Sequence, residues 1–460
     1  MANLQSTSSG PQALEAPVAP KDRLQAAIVA IVSVALGWRF FHVIHQYSVN
    51  LFFSDQWDYL RPFFDHDKPG LTELFLYQHG PHREGIGLFA DKFLYPLNHW
   101  NTTADSYFIG GCIFAAMLLA LSLKQKLIGP LVIQDVAIPA IFLTLAQYET
   151  VIGTPNPAYS GLPLLMTMVY CHALLLGNTL LRYAAILLLD GLLIYTGFGL
   201  FMGAVTIGVV LLECYWSWRG MTRVPLIQAI TALVIASALL ASFFVDYQWA
   251  PYVDCFEPPR HRLWAYPWFM AIMFSRFLGS RHYLPLITTL GAILLAGAFA
   301  VMVLQFGRLV HRGSEPESVV GAVLLSYSLL FSANSAVGRI CLGLPAAAQA
   351  SRYVTLMIPA FVGIYFFLMT CNWSRRNLLL LPFVAIVLVG AAIKTTSDYR
   401  WLGNGKRAWA DCYRSTGNIL FCDQTTKLTI FPPAGRDRLQ RRLDFLSERH
   451  LNLFADSNAK

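Results

Sequence analysis

The side chains best suited to chemistry in this chain cluster in three short stretches. The first is Ser54-Asp55-Gln56-Trp57-Asp58-Tyr59-Leu60-Arg61. A helix through this stretch puts Asp55 and Asp58 on one face. Two neighbouring carboxylates shift each other's proton affinity, so one can act as acid while the other acts as base. The plainer reading is a helix start, with Asp55 as N-cap and Asp58 solvated. The second stretch is Gln78-His79-Gly80-Pro81-His82-Arg83-Glu84-Gly85. Gly80-Pro81 reads as a helix start, with Pro81 at the first helical position. His82 and Arg83 then fall at the positive end of the helix dipole, where a cation is unfavourable unless an anion is bound. That points to a phosphate or carboxylate ligand, or to lipid headgroups. His79 and His82 have the chemistry to orient a hydroxyl or hold a metal.

The third stretch pairs Asn334-Ser335-Ala336-Val337-Gly338-Arg339 with Ala350-Ser351-Arg352-Tyr353. A guanidinium suits bidentate phosphate recognition, which makes Arg339 and Arg352, with Tyr353, candidate anion ligands. Snorkelling to headgroups is the alternative. Glu149, in Gln147-Tyr148-Glu149-Thr150, is a further carboxylate at the edge of an apolar run. Gly153, Pro155, Asn156 and Pro157 follow it and suit an irregular segment that lines a cavity.

The elements that must position these residues are membrane helices. The chain has 460 residues, 56% hydrophobic and 13% charged, against about 25% charge in soluble domains. Its apolar runs are Leu24–Ile44, Tyr107–Leu123, Leu131–Tyr148, Gly161–Leu176, Tyr183–Tyr195, Gly199–Tyr215, Pro225–Val245, Leu284–Leu304, Val319–Phe331, Val354–Cys371 and Leu378–Ile393. They predict an all-α polytopic protein of about eleven spans, some too short to cross at right angles to the bilayer. Thr196, Gly197 and Gly199 supply the break in the long run from Tyr183 to Tyr215.

With the N-terminus in the cytoplasm, the inside connections hold Lys21 and Arg23, Lys124 and Lys126, Arg182, Arg219 and Arg223, Arg308 and Arg312, and Arg375 and Arg376. Every one is basic, as the positive-inside rule requires. Residues 1–23 read as a disordered cytoplasmic tail, 24–393 as the membrane domain with a first outer loop at 45–106, and 394–460 as an extracytoplasmic segment. The remaining outer loops run Glu149–Ser160, Asp246–His282 and Ser332–Arg352. The net charge of +8 reflects these basic flanks, not a nucleic-acid partner. An outside tail favours a disulfide between Cys412 and Cys422, and Cys255 and Cys341 in outer loops have the same option. No GxxxxGK[ST] loop, HExxH or Cys/His zinc pattern occurs. Asp190 is the clearest acid within a span.

The order of a first span, an acidic outer loop with surface helices, many spans and late arginines resembles the GT-C superfamily of membrane glycosyltransferases. That resemblance implies a catalytic acid at Asp55. The family's Asp-Glu pair stands here as Asp55-Gln56, which leaves Asp58 or Glu149 as second carboxylate. Gly80-Pro81-His82-Arg83 is similar to the family's basic, proline-containing motif. Asp190 to Gly197 resembles its mid-chain span break without the lysine, and Ser351-Arg352-Tyr353 resembles its late arginine motif.

The chain also resembles a group of bacterial membrane proteins, a likeness that supplies no substrate. The implied activity is transfer of a sugar from a polyprenyl-phosphate donor to an extracytoplasmic glycan, lipid or protein at a bacterial inner membrane. Asp55 is then general base, and Arg339, Arg352 and Arg83 face the lipid phosphate. A divalent metal is left open. The rival expectations are a flippase for lipid-linked saccharides and a non-catalytic envelope-assembly subunit.

Overall fold

The computed structural model describes residues 20–66, 68–249, 262–278, 284–371, 374, 376–393 and 396–458. The chain is a helical membrane protein. Among the described residues, seven stretches are long and apolar enough to cross a bilayer: Pro20–Tyr47, Thr102–Ile128, Leu200–Trp218, Pro285–Arg312, Pro316–Leu342, Ser351–Thr370 and one that begins at Asn377. Shorter apolar segments are Ile133–Gln147, Gly161–Ala173 and Leu226–Ser242.

The helix Val354–Thr370 runs through the centre and is buried along nearly its whole length, as expected of a segment apolar on every side. Pro359 lies inside it and removes one backbone donor. Ser328, on the neighbouring helix Pro316–Arg339, repairs the ladder. Its hydroxyl donates to the Leu356 carbonyl at 2.8 Å and accepts from the Ala360 N–H at 3.1 Å. The helix that carries Arg339 is thereby stitched to the helix that begins just after Arg352.

Several boundaries differ from those expected. Residues 1–19 of the expected tail, and Cys255, Arg375 and Lys394, lie outside the described residues. The first helix already includes Pro20 to Arg23, because Pro suits a first helical position and Asp22 suits the positive end. The run Leu131–Tyr148 is not one straight span. It breaks into the turns Ile133–Val136 and Leu145–Gln147 around the short helix Ala137–Phe142. Buried polar groups hold these breaks: Lys124 pairs with Asp135 at 2.9 Å, and the Tyr365 hydroxyl donates to Asp135 at 2.6 Å.

The expected outer loop Asp246–His282 contains a buried helix, Ala265–Arg276, whose run is too short to read as a span. Gly291 admits it: a Cβ there would sit 1.9 Å from the Ala271 carbonyl oxygen. The expected outer loop Ser332–Arg352 starts later than its polar residues suggest. The helix Pro316–Arg339 continues through Ser332 and Ser335, which are buried in the bundle.

The segment after residue 396 folds as helices Ser397–Thr416, Ile419–Thr426 and Arg436–Glu448. A disulfide joins Cys412 to Cys422, and Cys341 is also disulfide-bonded. This segment closes over the first loop. The Ser54 N–H donates to the Ile430 carbonyl at 2.7 Å, and Asn452 bonds Asn50 and Thr102.

Candidate functional site

Asp55 precedes the short helix Gln56–Tyr59 but makes no capping bond to it. Its carboxylate is therefore available elsewhere, and its Oδ2 lies 3.0 Å from Arg352 Nη1. Gln56, the residue where the resembled family has its second acid, is buried and acts as an amide. It accepts from the Phe53 N–H at 3.1 Å and donates to the Pro155 carbonyl at 2.9 Å. A glutamate at this position would have no N–H to give to Pro155.

Arg352 sits in the tight turn Ser351–Tyr353. The Ser351 hydroxyl accepts the Glu149 N–H at 2.9 Å, and the Arg352 N–H reaches Glu149 Oε2 at 3.4 Å. Glu149 therefore serves to seat that turn.

The stretch 78–83 is a two-stranded hairpin, Gln78–His79 against His82–Arg83, and the following helix starts only at Gly85. This corrects the expected helix start at Pro81. Gly80 takes φ +56, a value open to glycine, and Pro81 cannot donate, so the pair makes a tight reversal. The hairpin docks on the Tyr195–Gly199 break, where the Gly197 N–H donates to the Arg83 carbonyl at 2.7 Å.

His79 Nδ1 lies 2.9 Å from the Tyr159 hydroxyl and 3.3 Å from Glu84 Oε1. Tyr159 also bonds Glu84 directly. Burial opposes charge on His79, but Glu84 and Asp55 outweigh it and lift its pKa to about 8. Burial lifts Glu84 to about 7 despite His79. His82 is different: burial, with Arg339 and His79, lowers it to about 3. It is a neutral ring packed edge-on to Phe198 at 4.4 Å, not the cation expected of it.

Asp55, His79, His82, Tyr159, Arg339, Arg352 and Tyr353 line one cavity of about 210 Å³. Arg339 projects into it from the last turn of its helix. Among the described residues Arg339 has no hydrogen-bond or ion-pair partner. Burial opposes charge on Asp55, yet Arg352, His79 and Arg339 outweigh it and hold Asp55 below its ordinary value. A second cavity, of about 590 Å³, shares Arg352 and Tyr353 and is lined by Glu149 and by apolar Phe53, Leu342 and Trp401.

No family model, no curated protein and no solved structure matches this chain. The site therefore has to be argued from its own geometry.

Three expected site residues lie outside this cavity: Glu149, which lines the second one, Asp58 and Arg83. Asp58 turns the opposite way from Asp55 and accepts from Arg438 at 3.2 Å and Arg442 at 3.0 Å. Arg83 is buried, and its guanidinium is spent on the carbonyls of Phe243, Leu76 and Val245 and on the Phe243 ring. Both are fasteners between distant segments. Arg83→Gln should therefore lower stability by roughly 3 kcal/mol through lost charge-assisted bonds while leaving phosphate affinity intact. Thermal melting alongside phosphate titration checks this, and unchanged melting with weakened phosphate binding would refute it.

Glu84, Tyr159 and Phe198 were not singled out from the sequence as site residues. Glu84 lay within the histidine stretch, but a helix-start reading gave it no role. Tyr159 is 80 positions from His79, beyond any local spacing rule. Among the described residues no group of three or more His, Cys, Asp or Glu side chains is placed to hold a metal ion. What the cavity offers is one ionised carboxylate, an imidazole that shares a proton with Glu84, and two guanidinia.

The pair also sets a pH dependence. His79 holds its proton more tightly folded than unfolded. Its stabilisation is complete below about 6.5 and is lost as pH rises through about 8. Glu84, likewise raised, also costs stability as pH rises. Melting temperature should fall between pH 6.5 and 8.5, by the equivalent of up to about 2 kcal/mol. Glu84→Gln should flatten that slope, and an unchanged slope would refute the pairing.

Proposed function

We propose that this chain is a membrane glycosyltransferase that moves a sugar from a polyprenyl-phosphate donor to an acceptor outside the cytoplasm. The observation that carries this reading is the convergence of Asp55 with Arg339 and Arg352 on one cavity at the ends of membrane helices. An anion-binding pair of guanidinia suits a lipid phosphate, and a carboxylate beside them suits an acceptor hydroxyl. The GT-C resemblance and a count of eleven spans belong to the same reading. The expected inside connections carry the basic residues, and Lys124 lies at the opposite end of Thr102–Ile128 from the loop that holds Asp55, which supports an outward-facing site.

The chemistry balances as a substitution at the anomeric carbon. The acceptor oxygen forms the new bond, its proton passes to Asp55, and the bond to the phosphate oxygen breaks. The leaving polyprenyl phosphate gains negative charge, which Arg339 and Arg352 are placed to stabilise. In the resting site Arg352 is held by Asp55 at 3.0 Å and keeps that carboxylate a weak base. A phosphate that takes Arg352 away raises the proton affinity of Asp55. Donor binding and base activation are thus one event.

The test is direct. The purified protein is placed in vesicles with polyprenyl-phosphate-linked sugars and candidate acceptors, and products are analysed for a new glycosidic bond. Bond formation supports the reading. Movement of the lipid-linked sugar between leaflets with no new bond would overturn it in favour of a flippase.

A further inference from the structure

We propose that a second site, a cleft between the helices Arg61–Asp65 and Arg436–Glu448, binds a phosphate monoester. The inference does not depend on the glycosyltransferase reading. The cleft has a volume of about 470 Å³ and is lined by Arg61, Arg438, Arg441 and Arg442, with Asp65, Phe64 and Phe445.

The charges do not cancel. Asp65 pairs with Arg61 at 2.9 Å. Arg438 and Arg442 share a single oxygen of Asp58, at 3.2 and 3.0 Å. Among the described residues Arg441 has no hydrogen-bond or ion-pair partner. Four guanidinia against the carboxylates of Asp58 and Asp65 leave two positive charges, 4 − 2 = +2. A carboxylate ligand would neutralise one of these. A phosphate monoester, carrying about −1.5 to −2 near neutral pH, would neutralise both.

The helix itself argues the same way. Arg438, Arg441 and Arg442 lie three and four positions apart, on adjacent turns of one face, where like charges repel. Arg438 also lies in the first turn of the helix, at its positive end, where a cation is disfavoured without an anion. Nor are the Arg438 and Arg442 guanidinia free to swing away. Arg442 is buried, with its guanidinium 5.3 Å above Phe64 and 5.9 Å above Phe431, and Arg438 lies 5.5 Å above Phe431. Preorganised guanidinia with unused donors are what phosphate recognition needs.

The phosphate has two sources of equal chemistry, a lipid headgroup or a soluble sugar phosphate. Full-length protein in detergent is titrated calorimetrically with short-chain phosphatidic acid and with glucose 1-phosphate, at low and high salt. Binding of either probe, weakened by salt and at least about tenfold weaker in Arg441→Gln, supports the site, and the probe that binds tells the source. Asp58→Asn removes the competing carboxylate and should tighten binding. Arg438→Gln serves as the second weakening variant. Failure of both probes to bind, or affinities unchanged in both arginine variants, would overturn the proposal.

Discussion

Asp55→Asn should reduce sugar transfer by about 10²–10⁴-fold, the range for losing a positioned general base. Affinity for polyprenyl phosphate should at the same time stay the same or rise. The second half of this expectation is the discriminating one. Asp55 occupies Arg352 at 3.0 Å in the resting site, so an uncharged amide leaves that guanidinium freer for phosphate. A purely structural role for the ion pair predicts the reverse, a loosened Ser351–Tyr353 turn with weaker binding and a lower melting temperature. Transfer rates, equilibrium binding of a soluble polyprenyl-phosphate analogue and thermal melting on one preparation separate the two. Transfer within a few-fold of the parent would remove Asp55 as the base.

Arg339→Gln should cost about 10²–10³-fold in transfer, comparable to removing one preorganised donor from a site of developing charge. Melting should hardly move. Arg339 contributes a favourable cation at the end of its helix, roughly 0.3–1 kcal/mol, and among the described residues it has no partner whose loss would leave a buried group unpaired. Arg352→Gln should behave differently. It unpairs Asp55, whose carboxylate then loses the strongest of the charges holding its proton affinity down. The pH profile of any residual transfer should shift upward in both variants, and further in Arg352→Gln than in Arg339→Gln, because Arg352 is the larger of the two charges acting on Asp55. If both variants transfer normally, the lipid phosphate is bound elsewhere.

The residues of this site were legible as types but not as partners. Asp55 and Asp58 look equivalent by spacing, yet they face opposite ways and serve different segments. Asp55 meets an arginine 297 positions away, and Asp58 meets arginines 380 and 384 positions away. Arg83 reads as a free cation because spacing does not show which carbonyls its guanidinium will meet. Its carbonyl partners at Phe243 and Val245 arrive only when the distant helix end folds over the hairpin. His82 reads as a cation for the same reason, since its neutrality is set by burial and by Arg339.

What the sequence determined by itself is the solvent. A chain with so much apolar and so little charged surface has to place its helices in lipid, and that holds whatever the packing. It also determined that ionisable side chains collect in the first loop and in two late turns, because those segments are too polar for the apolar interior. Only the tertiary structure decided which of them meet. Asp55 carries no local capping bond and Arg339 has no partner among the described residues, while Asp58, Arg83 and Gln56 are consumed as fasteners. The physical reason is that a charged side chain takes whichever counter-charge or carbonyl the packed bundle brings within about 3 Å, and that meeting is a property of the helices' arrangement in space, not of the spacing along the chain.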